Sequence, residues 1–196
     1  AKERVEQGGA RIKIRLVKGA NLAMEKVEAS MHDWAQAPYG TKAQVDANYK
    51  RMLHYGCMPE NARYVQFGVA SHNLFDLCYA MLLREREGVK DYVEFEMLEG
   101  MANHQARVIR ESADGLLLYA PVVLKEDFHS AIAYLVRRLD ENTCEENFLH
   151  DLFGMAPGSR TWDIQKRRFL KACQEKDSVK YGPNRTQNRA TDPVEP

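Results

Sequence analysis

The sequence predicts an α/β fold with a parallel sheet, and three observations predict it. Strand-like and helix-like segments alternate four times. No two adjacent strand-like runs are joined by a hairpin turn, so each strand is followed by a crossover helix, as in parallel sheets. Polar and ionisable residues gather at strand ends: Arg15 and Lys18, His72 and Asn73, Glu94 and Glu96, Tyr119. A doubly wound sheet and a (β/α)8 barrel both satisfy this pattern. No G-x-G-x-x-G follows any strand, which lowers the dinucleotide-binding version of the first. In a barrel, the C-terminal ends of the strands carry the chemistry.

Taken in order, residues 1–7 read as the last turns of a helix, stopped by Gly8 and Gly9. Residues 12–17 alternate and are rich in β-branched side chains, a strand. A Lys18-Gly19-Ala20 loop leads to a short helix over 22–31, and Pro38 and Gly40 mark the loop after it. Thr41 is placed to N-cap a helix to about Tyr55, ended by Gly56 and Pro59. Residues 64–70 form a second strand, ending in Ser71-His72-Asn73, and 74–87 a mostly apolar helix closed by Gly88. A third strand covers 93–98, a helix about 101–111, and a fourth strand 116–119, with Pro121 after it.

The helix that follows begins near Glu126. Phe128, Ile132, Leu135, Val136 and Leu139 make one apolar stripe. Tyr134, Arg137, Arg138 and Glu141 gather opposite it, with Arg137–Glu141 and Tyr134–Arg138 as i, i+4 neighbours. The plain reading is a surface helix with an ion pair. The sharper one is a cationic fork over a pocket, since a planar guanidinium donates two parallel hydrogen bonds to a carboxylate. Two further helices are expected over 145–153 and 162–176, with Lys166-Arg167-Arg168 as the solvated face of the last. Residues 181–196 are polar and proline-containing and read as a linker or tail.

Composition bounds the function. Of 196 residues, 44% are hydrophobic, enough for a packed core, and 28 basic residues balance 28 acidic ones. Zero net charge gives no argument for nucleic acid or an acidic membrane as the main partner. Cys57, Cys78, Cys144 and Cys173 are scattered without a C-x-x-C pair, which fits reduced thiols in a cytosolic protein better than a disulfide frame or a zinc site.

Three constellations carry possible chemistry. Arg15 and Lys18 bracket a strand-to-loop junction whose Gly19 lets backbone approach a ligand, and their charges suit an anion such as a pyrophosphate. An ordinary basic strand end is the competing account. His72 with Asn73 suits cofactor orientation or proton transfer, or a satisfied structural histidine. Glu94 and Glu96 share one strand face, and with His72 they allow a metal-dependent barrel lyase.

Five motifs in order resemble the proline dehydrogenase family, in the version found in bifunctional bacterial proline utilisation A proteins. They are Arg15-Leu16-Val17-Lys18-Gly19-Ala20, Ser71-His72-Asn73, residues 94–101, Tyr119-Ala120-Pro121 and residues 134–142. Each is weak alone; five at fitting distances are specific. The resemblance implies the C-terminal half, about four βα units, of a distorted (β/α)8 barrel. It implies FAD-dependent oxidation of L-proline to 1-pyrroline-5-carboxylate, with electrons passing to a membrane quinone. It also implies a second, aldehyde dehydrogenase domain that uses NAD and is absent here. The protein is then expected in the cytoplasm, peripheral at the inner membrane face.

Carried over residue by residue, Arg15, Val17, Lys18, Gly19 and Ala20 would contact FAD, with Thr41 and Lys42 at its adenosine part and His72 and Asn73 beside the flavin. Leu98, Tyr119 and Tyr134 would wall the proline site. Arg137 and Arg138 would pair with the substrate carboxylate, and Glu141 would hold that fork while touching the cofactor region. No acid–base residue is assigned. Asn21 and Glu96 depart from the Tyr and Gln that many members carry. The expected organisation is a barrel part over 1–153, a helical extension over 154–180 and a linker over 181–196 towards the absent domain. The chain alone is expected to bind FAD weakly and to have little activity, because family strands that supply a Lys, an Asp and a Gln are missing. Two alternatives stand beside this: a non-catalytic barrel fragment, and the lyase using His72, Glu94 and Glu96.

Overall fold

Four strands form one parallel sheet in sequence order: β1 (Ile12–Leu16), β2 (Val65–Ala70), β3 (Val93–Leu98) and β4 (Leu117–Tyr119). The structure, a computed structural model, describes residues 1–19, 22–182 and 184–185, with the side chains of Leu22 and Glu141 excepted. Three crossovers join the strands. The first holds α2 (Leu22–Met31), α3 (Lys42–Cys57) and α4 (Pro59–Ala62); the second holds α5 (Leu74–Arg86); the third holds α6 (Asn103–Ser112). The short α1 (Lys2–Glu6) precedes β1, and α7 (Phe128–Thr143), α8 (Phe148–Leu152) and α9 (Arg160–Glu175) follow β4. The strand–helix alternation expected from the sequence is the order observed. Within the described residues β1 and β4 are open edges.

Local sequence explains the ends. Thr41 accepts from the Gln44 backbone N–H while the Gln44 side chain accepts from the Thr41 N–H, a capping box that starts α3. Asn73 caps α5, accepting from Phe75 and Asp76 N–H, and Ser159 caps α9. Pro59 does end α3, as expected, but it also opens α4 at a position where its missing N–H costs nothing.

The two faces of the sheet differ. One carries Leu16, Val65, Phe67, Val69, Val93, Phe95 and Met97, all buried with Tyr49, Leu53, Leu77 and Leu83 beneath the helices. Gly56 is part of that packing, because a Cβ there would overlap the Phe67 ring. The other face carries Lys13 and Arg15 of β1, Gln66, Gly68 and Ala70 of β2, Glu94, Glu96 and Leu98 of β3, and Leu117 and Tyr119 of β4. α9 lies along α3 and α5. Phe75 of α5 meets Phe148, Trp162 and Phe169 with ring centroids 4.8 to 6.4 Å apart, so α9 packs on the outer side of α5 through an aromatic cluster. Val179 and Lys180, and Arg185 of the expected tail, contact the first crossover. Tyr39 Oη donates to the Lys180 carbonyl at 2.7 Å, Arg51 donates to the Val179 carbonyl at 2.8 Å, and the Arg185 guanidinium sits 4.6 Å from the Trp34 ring.

One expectation is corrected. With the face of Tyr134, Arg137, Arg138 and Glu141 turned to ligand, the apolar stripe of α7 is expected from the sequence to pack on the barrel. Instead Phe128, Ile132, Leu135, Val136 and Leu139 are 37 to 61% exposed, while Ala131 is buried and Tyr134, Arg137 and Arg138 are half-buried. The helix turns its cationic face inward. Hydrophobic periodicity finds the apolar face; it does not say what covers it, and no described residue does.

Candidate functional site

The site is assembled at the C-terminal ends of the strands, on the polar face of the sheet. Parallel register puts Leu98 beside Tyr119, and Glu96 beside Ala70 of β2. The Glu99 N–H donates to the Tyr119 carbonyl at 2.9 Å, which continues the β3–β4 pairing to the loop. Glycine and alanine at 68 and 70 leave a trough over β2. Lys13 and Arg15 on β1 reach across it to Glu94 and Glu96 on β3. Glu96, 1% exposed, takes Lys13 Nζ at 2.8 Å and Arg15 Nε. The Arg15 guanidinium lies 4.6 Å from the Tyr119 ring, a cation–π contact. Burial pulls the Lys13 ammonium down, but hydrogen bonds and charge from both glutamates more than offset it and leave its pKa above the ordinary value.

His72 is held just after β2. The Leu98 N–H donates to its Nε2 at 3.2 Å. Burial lowers its pKa from 6.5 to about 4, so the ring is neutral at pH 7. With Nε2 accepting, the hydrogen resides on Nδ1. That Nδ1 is buried and has no partner among the described residues. A fixed donor without an acceptor marks a place for a ligand's acceptor atom.

The third part is α7. Arg137 Nη1 donates to Met24 Sδ of α2 at 3.3 Å, and Asn142 Nδ2 donates to Met101 Sδ beyond β3 at 3.9 Å. Since α2 follows β1, these contacts lay α7 across the C-terminal ends from the first strand towards the third. Tyr134 sits between the two guanidiniums, 5.9 Å from that of Arg137 and 4.8 Å from that of Arg138. The Arg137 Nε is buried with no hydrogen-bond partner among the described residues.

The structure therefore brings Arg15, His72, Leu98 and Tyr119 to one end of the sheet and lays the Tyr134–Arg137–Arg138 face beside it. It gives other expected residues different work. Lys18 was expected to offer its charge to an anion, yet its Nζ pairs with Asp46 and Asp76, each at 2.7 Å. Burial lowers its pKa, but the Asp76 and Asp46 charges outweigh this and raise it above the ordinary value. Lys42 pairs with Asp46 at 2.6 Å; burial and the neighbouring Lys18 charge lower its pKa. The side chains of Asn73 and Thr41 serve as helix caps. Val17 is exposed, and Gly19 has φ +91° with open space where a side chain would lie. Ala20, Asn21 and the side chain of Glu141 lie outside the described residues.

Sequence reasoning missed the ion network beneath the loop. Lys50 and Asp76 are each 1% exposed and paired, with Lys18, Lys42 and Asp46 around them. Three ammonium groups face two carboxylates, which leaves one positive charge at this end of the sheet. Both aspartates have lowered pKa values: burial raises them, but the lysine charges prevail. The lyase alternative loses its ligands, because Glu94 and Glu96 are taken by Lys13 and Arg15. Among the described residues no three His, Cys, Asp or Glu side chains come together to hold a metal.

Comparison with known proteins points one way. The sequence profile described as proline dehydrogenase matches residues 1–151. The bifunctional proteins PutA of Klebsiella aerogenes and of Escherichia coli K12 are each 34% identical over 147 residues, 71% of this chain and 11% of theirs. PutA of Rhizobium meliloti is 32% identical over 148 residues. Among solved structures, proline utilization A from Corynebacterium freiburgense matches with a TM-score of 0.79 and 43% identity, over 95% of this chain and 17% of that one. The Bdellovibrio bacteriovorus protein, inactivated by N-propargylglycine, matches with a TM-score of 0.73 and 30% identity, over 98% of this chain and 19% of that one. The chain thus spans about 11% of the length of the first curated relatives it matches.

Proposed function

The chain belongs to the proline dehydrogenase family, and from that premise we propose that it supplies the C-terminal half of a (β/α)8 barrel that oxidises L-proline to 1-pyrroline-5-carboxylate. The observation that carries the proposal is the inward Tyr134–Arg137–Arg138 face lying over strand ends that bear Arg15, His72, Leu98 and Tyr119. FAD fits the residues present. The neutral His72 offers an Nδ1–H donor unpartnered among the described residues, Arg15 offers a cation, and Gly19 leaves open space beside the backbone. When bound, FAD supplies the hydride acceptor.

The chain's own residues bind and orient. Arg137 and Arg138 hold the proline carboxylate by charge-assisted hydrogen bonds. Tyr134, Tyr119 and Leu98 wall the ring, so that the carbon beside nitrogen faces the acceptor. Orientation of this kind contributes up to about 7–11 kcal/mol in favourable systems. His72 stays neutral and donates a hydrogen bond without moving a proton. The residual positive charge of the Lys18–Lys42–Lys50 network favours an anionic cofactor without direct contact.

The reading extends to a longer polypeptide. The open edges β1 and β4, and the exposed stripe of α7, are the surfaces such a polypeptide would cover. Within it, electrons would leave for a membrane quinone at the inner membrane face, and a following domain would oxidise the hydrolysed product with NAD. No described helix is long and apolar enough to cross a membrane. By itself the chain is expected to bind FAD weakly.

The test is Arg137→Met in the longer polypeptide. Losing a charge-assisted bond worth about 1.5–3 kcal/mol raises KM for L-proline roughly 10- to 100-fold while FAD stays bound. Loss of flavin with unchanged proline affinity would contradict the assignment.

A further inference from the structure

Glu96 belongs to no part of the mechanism above, yet it is among the most buried polar side chains of the chain. It lies on the polar face of the sheet, two strands from Arg15. That span is roughly 9–10 Å, twice the usual strand spacing. It is bridged only because β2 has glycine and alanine between them. At Gly68 a Cβ would overlap Glu96 Oε1. A glycine inside a strand is unfavourable by itself, and here it marks the close approach of another group. The carboxylate therefore sits in a slot made for it.

Arg15 is gripped from two sides. Glu96 Oε2 accepts from its Nε, and the Tyr119 ring lies 4.6 Å from its guanidinium carbon. These two contacts fix the plane of the guanidinium. Among the described residues neither Nη group has a further partner, and the side chain is 35% exposed. Its outer nitrogens are thus presented at the mouth of the site. Lys13 has Glu94 as well as Glu96, whereas Arg15 has Glu96 as its only carboxylate among the described residues.

We infer that Glu96, seated over Gly68, is a positioning residue that fixes Arg15 against Tyr119 and offsets its charge, and so sets the electrostatic field at the flavin. It links the cofactor side, through Arg15, to the substrate wall at Tyr119. The inference rests on the proposed flavin site.

A full negative charge in this slot opposes the addition of negative charge nearby on reduction, so its removal makes reduction easier. In the flavin-loaded longer polypeptide, Glu96→Gln keeps the shape and an acceptor for Arg15 Nε but removes the charge. The expected result is bound flavin whose two-electron midpoint potential is more positive by at least about 30 mV, a tenfold change in the reduction equilibrium, with kcat shifting more than KM. A merely structural role would leave the potential where it was, and a potential unchanged within that tenfold limit overturns the inference. Gly68→Ala guards against loss of flavin in the first variant. It keeps the charge but displaces the carboxylate, so it should raise KM for L-proline severalfold through Tyr119; an unchanged KM and flavin spectrum overturn the inference. Wild-type polypeptide that binds no flavin would remove the proposed site itself, and the inference with it.

Discussion

Lowering the pH from 7 towards 4 should destabilise this chain through His72. An unfolded histidine titrates at 6.5, whereas burial holds the folded ring at about 4. Between those values the unfolded chain binds a proton that the folded chain refuses, so stability falls as the pH drops from 6.5 to about 4. At 1.36 kcal/mol per pH unit the gap limits the loss to about 3 kcal/mol. The depressed carboxylates of Asp46 and Asp76 act in a lower window. Their contribution is complete above the ordinary value of 3.8 and is lost as the pH falls below it. The assay is urea unfolding followed by far-UV circular dichroism near pH 7 and near pH 4, for wild type and for His72→Gln. The glutamine amide oxygen can replace Nε2 as acceptor for the Leu98 N–H, so the variant should fold. Wild type should lose up to about 3 kcal/mol more than the variant across the window. Parallel losses in the two proteins would refute the buried neutral histidine, and with it the donor assigned to Nδ1.

The remaining predictions concern the elements that hold the site. Asp76→Asn leaves Lys50 buried without its counter-charge and deprives Lys18 of one partner; a loss of about 3–5 kcal/mol is expected in urea unfolding, and a loss under about 1 kcal/mol would show that water reaches this network. Thr41→Ala removes the capping box of α3; about 1 kcal/mol should be lost, with an unchanged dependence on urea concentration.

The sheet was legible because four strand-like runs alternate with helical ones, and because Thr41, Pro59 and Gly88 punctuate them, whereas Gly56 lies inside α3 and serves its packing on Phe67. The strand-end cluster of Arg15, His72 and Tyr119 was legible for the same reason, since parallel strands bring their C-terminal ends together. What could not be read were pairings between elements distant in sequence. Lys50 and Asp76 look like solvated charges on two amphipathic helices, and only the packing of α3 against α5 buries them together. The crossing of Lys13 and Arg15 to Glu94 and Glu96 had a signal that went unused: two cations and two acids at period two, with Gly68 inside the intervening strand. Helix α7 shows the opposite limit. Its stripe was found correctly from spacing, but the direction it faces depends on neighbours that no stripe encodes. Its cationic face turned inward because that face lies over the strand ends.

The most direct test is anaerobic addition of L-proline to the flavin-loaded longer polypeptide that contains this chain. The expected result is that the flavin absorbance bleaches and that 1-pyrroline-5-carboxylate appears in equal amount. Flavin that binds and stays oxidised in the presence of saturating L-proline would contradict it.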